Sequence, residues 1–124
     1  MVRFTVPGRA VPAVRMTQRS KFTSKQAERY LLYKLKVGWI ARQNRVKEMD
    51  GPVSVEVYVY LYRGRQGDVD NYGKAITDAL NGIAYRDDVQ VKRLVVEKRE
   101  CGPDEERAEV VIEALPEVRE SVGL

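Results

Sequence analysis

The chain has 124 residues, 44% apolar and 32% charged, the proportions of one soluble globular domain spanning residues 1–124. No apolar run nears the ~18 residues that a membrane span needs, and the opening MVRFTVPGRA lacks the apolar stretch of a secretory signal, so a cytoplasmic protein is expected. Histidine is absent and Cys101 is the single cysteine, which excludes HNH-type and zinc-hydrolase chemistry and the Ser–His and Cys–His nucleophile pairs; the net charge of +4 conceals a basic first half.

Residues 1–50 carry twelve Lys or Arg against three acids, and residues 51–124 carry ten against fifteen. A basic half of this kind fits nucleic-acid binding, although lopsided charge is also common in proteins with no such partner. Val2, Phe4 and Val6 alternate with Arg3 and Thr5, a strand that Pro7-Gly8 stops. A basic loop follows, with Arg9, Arg15, Arg19 and Lys21. Thr23 and Gln26 have capping-box spacing, predicting a helix from about Thr23. Its expected buried stripe is Ala27, Leu31, Leu35 and Trp39, widened by Tyr30, Leu32 and Ile40, with Lys25, Arg29 and Lys36 turned away. Asp50-Gly51-Pro52 is a turn, and Val53–Tyr62 alternates as a strand: valines and Leu61 on one side, Ser54, Glu56 and the tyrosines on the other.

A second helix is expected over 70–80, burying Tyr72, Ile76, Ala79 and Leu80 and closed by Asn81-Gly82. Two strands end the pattern, 89–97 and 107–114, expected as antiparallel neighbours across the CGPDEE turn. An acidic tail follows, expected to fray. The order β-α-β-α-β-β predicts an α/β (α+β) domain with one mixed sheet packed by two helices.

Asp68 and Asp70, two apart before a helix, can aim at one point. The helix dipole favours an ionised Asp70, and Lys74 lies one turn on along the same face. The helix spans ~17 Å, and the six steps from Gly82 to Asp88 reach roughly 20 Å. A nearly straight return would bring Asp88 to the same point. Three converging acids repel unless a hard cation neutralises them; Mg²⁺ suits carboxylate oxygens and keeps waters, one of which can attack a phosphodiester. In this arrangement Asp68, Asp70 and Asp88 are metal ligands and Lys74 stabilises phosphate charge. The plainer alternative is an Asp-x-Asp-Asn helix cap and an Asp-Asp turn, with Asp78 pairing with Lys74.

The run Gly67-Asp68-Val69-Asp70-Asn71-Tyr72-Gly73-Lys74 through Asp78-Ala79-Leu80, with Tyr85-Arg86-Asp87-Asp88-Val89-Gln90-Val91 downstream, resembles the D-x-D-N-x-x-K-x-x-x-D-x-L and D-D-x-Q-V elements of the RusA family of Holliday junction resolvases. The opening Val6–Arg15 is similar to that of phage-type members. The resemblance implies a homodimeric Mg²⁺-dependent endodeoxyribonuclease, with Mn²⁺ expected to substitute and no nucleotide cofactor. Such an enzyme resolves four-way DNA by paired symmetric nicks in recombination and repair. The resemblance also implies that Asp68, Asp70 and Asp88 form the acidic site and that Lys74 is catalytic. Members often carry a basic residue where this chain has Gly67, for which Arg63 and Arg65 could compensate, and a Lys where it has Ala13. DNA contact is expected at Arg9, Arg15, Arg19, Lys21, Arg63 and Arg65. A two-fold junction needs two cuts, which a C₂ dimer matches. The competing readings are a non-catalytic DNA-binding module and a nuclease for other branched or flap DNA.

Overall fold

The computed structural model describes residues 1–15 and 24–116. Along the chain these form β1 (Val2–Pro7), α1 (Lys25–Gln43), β2 (Val53–Leu61), α2 (Val69–Leu80), a 3-10 turn at Asp88–Gln90, β3 (Val91–Glu100) and β4 (Arg107–Ala114). This is the expected α+β order. Arg19, Lys21, Thr23 and the acidic tail lie outside the described residues.

The four strands form one sheet in the order β1-β4-β2-β3, with β2–β3 parallel and the other pairs antiparallel. The expected pairing of β3 with β4 is corrected: β4 lies between β1 and β2, and β3 is an edge strand. The helix α2 carries the chain from β2 to a parallel neighbour, as parallel pairing requires. The turn after β3 then passes the end of β2, where Cys101 N donates to Leu61 O at 3.3 Å, and β4 returns on the far side.

The alternation in β2 is as expected. Val53, Val55, Val57, Val59 and Leu61 are buried in one core with Val6, Val110, Ile112, Ile76, Leu80 and Tyr85. The opposite face is polar and laced by arginines: Arg99 lies 4.2 Å over the Tyr58 ring and Arg107 3.8 Å over Tyr60. One face packed and one wet is the ordinary state of a mainly antiparallel sheet.

In α1 the buried face differs from the expected stripe. Ala27, Tyr30, Tyr33, Val37, Gly38 and Ala41 are inside, while Leu35 is 71% and Trp39 62% exposed. The reason is close approach. A Cβ on Gly38 would stand 3.0 Å from Ile83 Cδ1 and 3.7 Å from Ala79 O, so the small residues, not the largest apolar ones, define where α1 meets α2. The helix is capped by Ser24, whose side chain accepts from Ala27 N at 3.2 Å, one residue later than the Thr23 expectation. Among the described residues no helix is long and apolar enough to cross a membrane.

α2 buries Tyr72, Ile76, Ala79 and Leu80 as expected, and Gly73 as well. Gly73 sets the height of α2 above β3: a Cβ there would come within 2.5 Å of Val96 Cγ2. Gly73→Ala should therefore destabilise the fold by about 1–3 kcal/mol through overpacking, outweighing the roughly 1 kcal/mol that Ala gains over Gly in a helix. Urea unfolding measures this; stability equal to or above the parent would mean that β3 yields freely and does not fix the helix.

Candidate active site

The loop 62–68 brings the chain from β2 to the N-terminus of α2. Arg9 ties it down: its Nη1 donates to Arg63 O at 2.9 Å and its Nη2 to Arg65 O at 2.8 Å, and the guanidinium pairs with Glu106. Arg9 is thus committed to holding the loop. The guanidinium of Arg63 lies 5.1 Å over the Tyr62 ring, and both Arg63 and Arg65 are exposed. Gly67 follows, with its N–H donating to Tyr72 Oη at 3.1 Å and its carbonyl accepting from Lys98 Nζ at 3.1 Å. A Cβ on Gly67 would sit 2.7 Å from Pro12 Cγ, so a basic side chain at this position has no room in this packing. Ala13 is likewise buried, against Tyr30 and Ala75.

Asp68 occupies the N-cap position of α2, yet its side chain makes no capping hydrogen bond. Asp70 lies in the first turn and is exposed. Neither carboxylate takes part in a hydrogen bond or ion pair among the described residues, so capping does not occupy them. Lys74, one turn further on, is exposed and makes no ion pair among the described residues. The expected pairing of Asp78 with Lys74 is corrected: Asp78 Oδ2 accepts from Tyr30 Oη at 3.0 Å. Burial, followed by the charge and hydrogen bond of Asp78, pushes the Tyr30 phenol well above its ordinary pKa.

At the other end of α2, Asp87 and Asp88 play different parts. Asp87 caps the 3-10 turn, accepting from Val89 N at 3.1 Å. Gln90 pins that turn. Its Nε2 donates to Met49 O at 2.8 Å and Gly51 O at 2.9 Å, and its Oε1 accepts from Arg86 N at 2.9 Å and Asp87 N at 3.3 Å. The Gln of the D-D-x-Q-V element is therefore a clamp that sequence reasoning had not assigned. Asp88 is left exposed, facing Asn81 and Asp87. Its carboxyl is held above the usual carboxylate range by its hydrogen bond to Asp87, by desolvation and by the charges of Asp87 and Asp78, with Asn81 acting the other way.

The expected straight return from Gly82 to Asp88 is not what the chain does. Gly82 (φ 78°) turns it at once, Gly82 N donates to Tyr85 O at 2.8 Å and Ala84 N to Leu80 O at 3.0 Å. Asp88 consequently stays beside Asp78 and Asn81 at the C-terminal end of α2. Asp70 is about 12 Å further along the axis, eight residues at ~1.5 Å each. Within one chain Asp68 and Asp70 stand two residues apart at the N-terminus of α2 and Asp88 does not join them; among the described residues no three acids are grouped to hold a metal ion.

Beside this helix lies an open hollow of about 600 Å³, lined by Ala13, Val14, Arg15, Tyr30, Lys34, Asn71, Lys74 and Asp78. The loop that contributes Arg15 is fixed there by Ala13 N donating to Asn71 O at 2.9 Å. The arrangement can place an anion against Lys74, about one turn from Asp70 and two from Asp68.

Comparison with known proteins agrees with this anatomy. The family model described as "Endodeoxyribonuclease RusA" matches residues 7–113. A curated relative, "Uncharacterized protein YqaN" of Bacillus subtilis (strain 168), is 32% identical over 136 aligned positions, covering 90% of this chain and 94% of the relative. With both acidic motifs inside the matched span, the chain belongs to the RusA family of endodeoxyribonucleases, the Holliday junction resolvases.

Proposed function

We propose that the chain resolves four-way DNA junctions by paired symmetric nicks as a cytoplasmic Mg²⁺-dependent homodimer, with one catalytic domain per chain. Asp68, Asp70 and Asp88 would be the acidic residues and Lys74 the electrostatic helper. The observation that carries this reading is the pair of unengaged carboxylates at the start of α2, with Lys74 one turn on in a cationic hollow. A three-aspartate cation site does not fit a single chain, because Asp88 is at the wrong end of the helix. It fits two chains. β3 runs antiparallel to α2: its start adjoins Asp88, and Lys98 near its end reaches Gly67 O. Among the described residues the outer edge of β3 is unpaired, and Val89 and Leu94 are exposed along this end of the sheet. Such an edge invites pairing with another strand.

Antiparallel pairing of β3 with its copy about a two-fold axis brings the start of one strand to the end of the other. Asp88 of the partner subunit then comes level with Asp68 and Asp70. Centred on Val95, it also sets Arg93 opposite Glu97 twice on the polar face, a favourable cross-strand pair. The exposed α1 residues Leu35 and Trp39 would not make this juxtaposition, since α1 packs over β1, away from the β3 edge. A divalent cation in such a site supplies charge neutralisation and an activated water. The chain's own part is to hold the acids apart until two copies meet, and to present Lys74 to the phosphate.

The test is cleavage of a labelled synthetic four-way junction with Mg²⁺, against linear duplex of the same sequence. Symmetric nicks confined to the junction are expected; equal cutting of the linear duplex, or none with any divalent metal, would remove the resolvase reading. In the same assay Lys74→Ala should lower kcat by about 10²–10³-fold with KM nearly unchanged, the loss of a group that acts on developing charge. A matching rise in KM would instead make Lys74 a simple phosphate grip.

A further inference from the structure

We propose that Lys34 and Arg15, beside the catalytic Lys74, form a binding site for a DNA backbone phosphate flanking the cleaved bond; this rests on the nuclease reading above. Three separate elements supply the three cations: Arg15 comes from the loop after β1, Lys34 from α1 and Lys74 from α2, and all line the same hollow. Among the described residues none of them is in an ion pair. Three cations facing one concavity repel one another unless an anion sits between them.

The single acid in the hollow, Asp78, accepts from Tyr30 Oη at 3.0 Å; its one negative charge offsets only one of the three cations and leaves the hollow net positive. Tyr30 itself is buried, so the bond anchors Asp78 to the wall. The Tyr30 ring also positions Lys34, whose Nζ lies 4.8 Å from the ring centroid, a cation–π contact that restrains a flexible stem. Asn71 adds an amide beside Lys74. Positive charge, a fixed wall and an amide suit an oxyanion held by charge-assisted hydrogen bonds. The hollow runs along α2 from Asn71 to Asp78, so a phosphate in it lies up to about 12 Å from Asp70 along the axis, which suits a phosphate flanking the reacting one.

The experiment measures junction binding by fluorescence anisotropy over a salt series, in an Asp70→Asn background that blocks cleavage. One lost phosphate contact lowers the slope of log affinity against log salt by about 0.9. Lys34→Ala should show that drop with roughly tenfold weaker binding, and Lys34→Arg should restore both. In the otherwise unmodified enzyme Lys34→Ala should raise KM while kcat is retained, unlike Lys74→Ala. An unchanged slope, or a loss that Lys34→Arg does not restore, would overturn the assignment. Binding is read here without cleavage, so an unmodified enzyme that fails to cut junctions would defeat the resolvase reading and leave this test standing.

Discussion

Asp70→Asn is expected to abolish junction cleavage, on the order of 10³-fold or more, while junction binding stays intact or tightens. The carboxylate is exposed, and it makes no hydrogen bond or ion pair among the described residues. Its structural worth is then limited to its place in the first turn of α2, about 0.3–1 kcal/mol from the helix dipole. The substituted chain should therefore fold. Asparagine keeps the shape and an oxygen but loses the charge that would hold a cation, so the chemical step loses its organiser. Binding should not suffer, because removing a negative charge beside DNA phosphates lowers repulsion. Cleavage and anisotropy on one synthetic junction, with a melting curve for the variant, measure all three quantities. If binding and melting temperature fell together with cleavage, Asp70 would be a helix-terminus residue whose loss disorders the loop, and the metal role would have to be dropped.

Much of this architecture was legible in the sequence, for physical reasons that differ from element to element. The two faces of β2 followed from strict alternation, because a strand has no choice but to point successive residues opposite ways. α2 followed from its stripe and from Gly82, whose positive φ ends it. Spacing and the family's motif together single out the acids and Lys74 as candidates. What was not legible depends on distant partners. The buried face of α1 is set by close approach at Gly38, which the sizes of Leu35 and Trp39 do not encode. The β3–β4 adjacency failed because sheet order depends on which side of β2 the chain returns, and the CGPDEE turn does not encode that. The convergence of three acids assumed an extended return, whereas Gly82 and Tyr85 fold the segment tightly. The Tyr30–Asp78 bond joins residues 48 apart in sequence. No local pattern announces it, so Asp78 looked like a partner for its helical neighbour Lys74.

Separation of the acids within a chain makes a prediction that a self-contained site cannot share. If each site takes Asp68 and Asp70 from one chain and Asp88 from the other, then Asp70→Asn and Asp88→Asn dimers are each inactive at both sites. Mixed dimers behave differently. One of their sites combines both substitutions and is dead; the other combines the intact Asp70 of one chain with the intact Asp88 of its partner and is whole. Random mixing makes half of the dimers mixed, and each carries one good site of two, so nicking should return to about a quarter of the unmodified level. The recovered product should be single nicks with few paired cuts, since a mixed dimer cannot cut both strands. Refolding the two inactive chains together from denaturant ensures exchange, and differently tagged chains allow the mixed dimer to be purified and assayed alone. A self-contained site predicts no recovery at any mixing ratio, because every chain carries a defect in its own acids. Recovery would assign the β3 edge a role in catalysis as well as assembly, because only a partner placed there brings its Asp88 level with Asp68 and Asp70. Its absence, in mixed dimers shown to have formed, would require the segment 82–88 to unfold and rebuild along α2 when DNA binds.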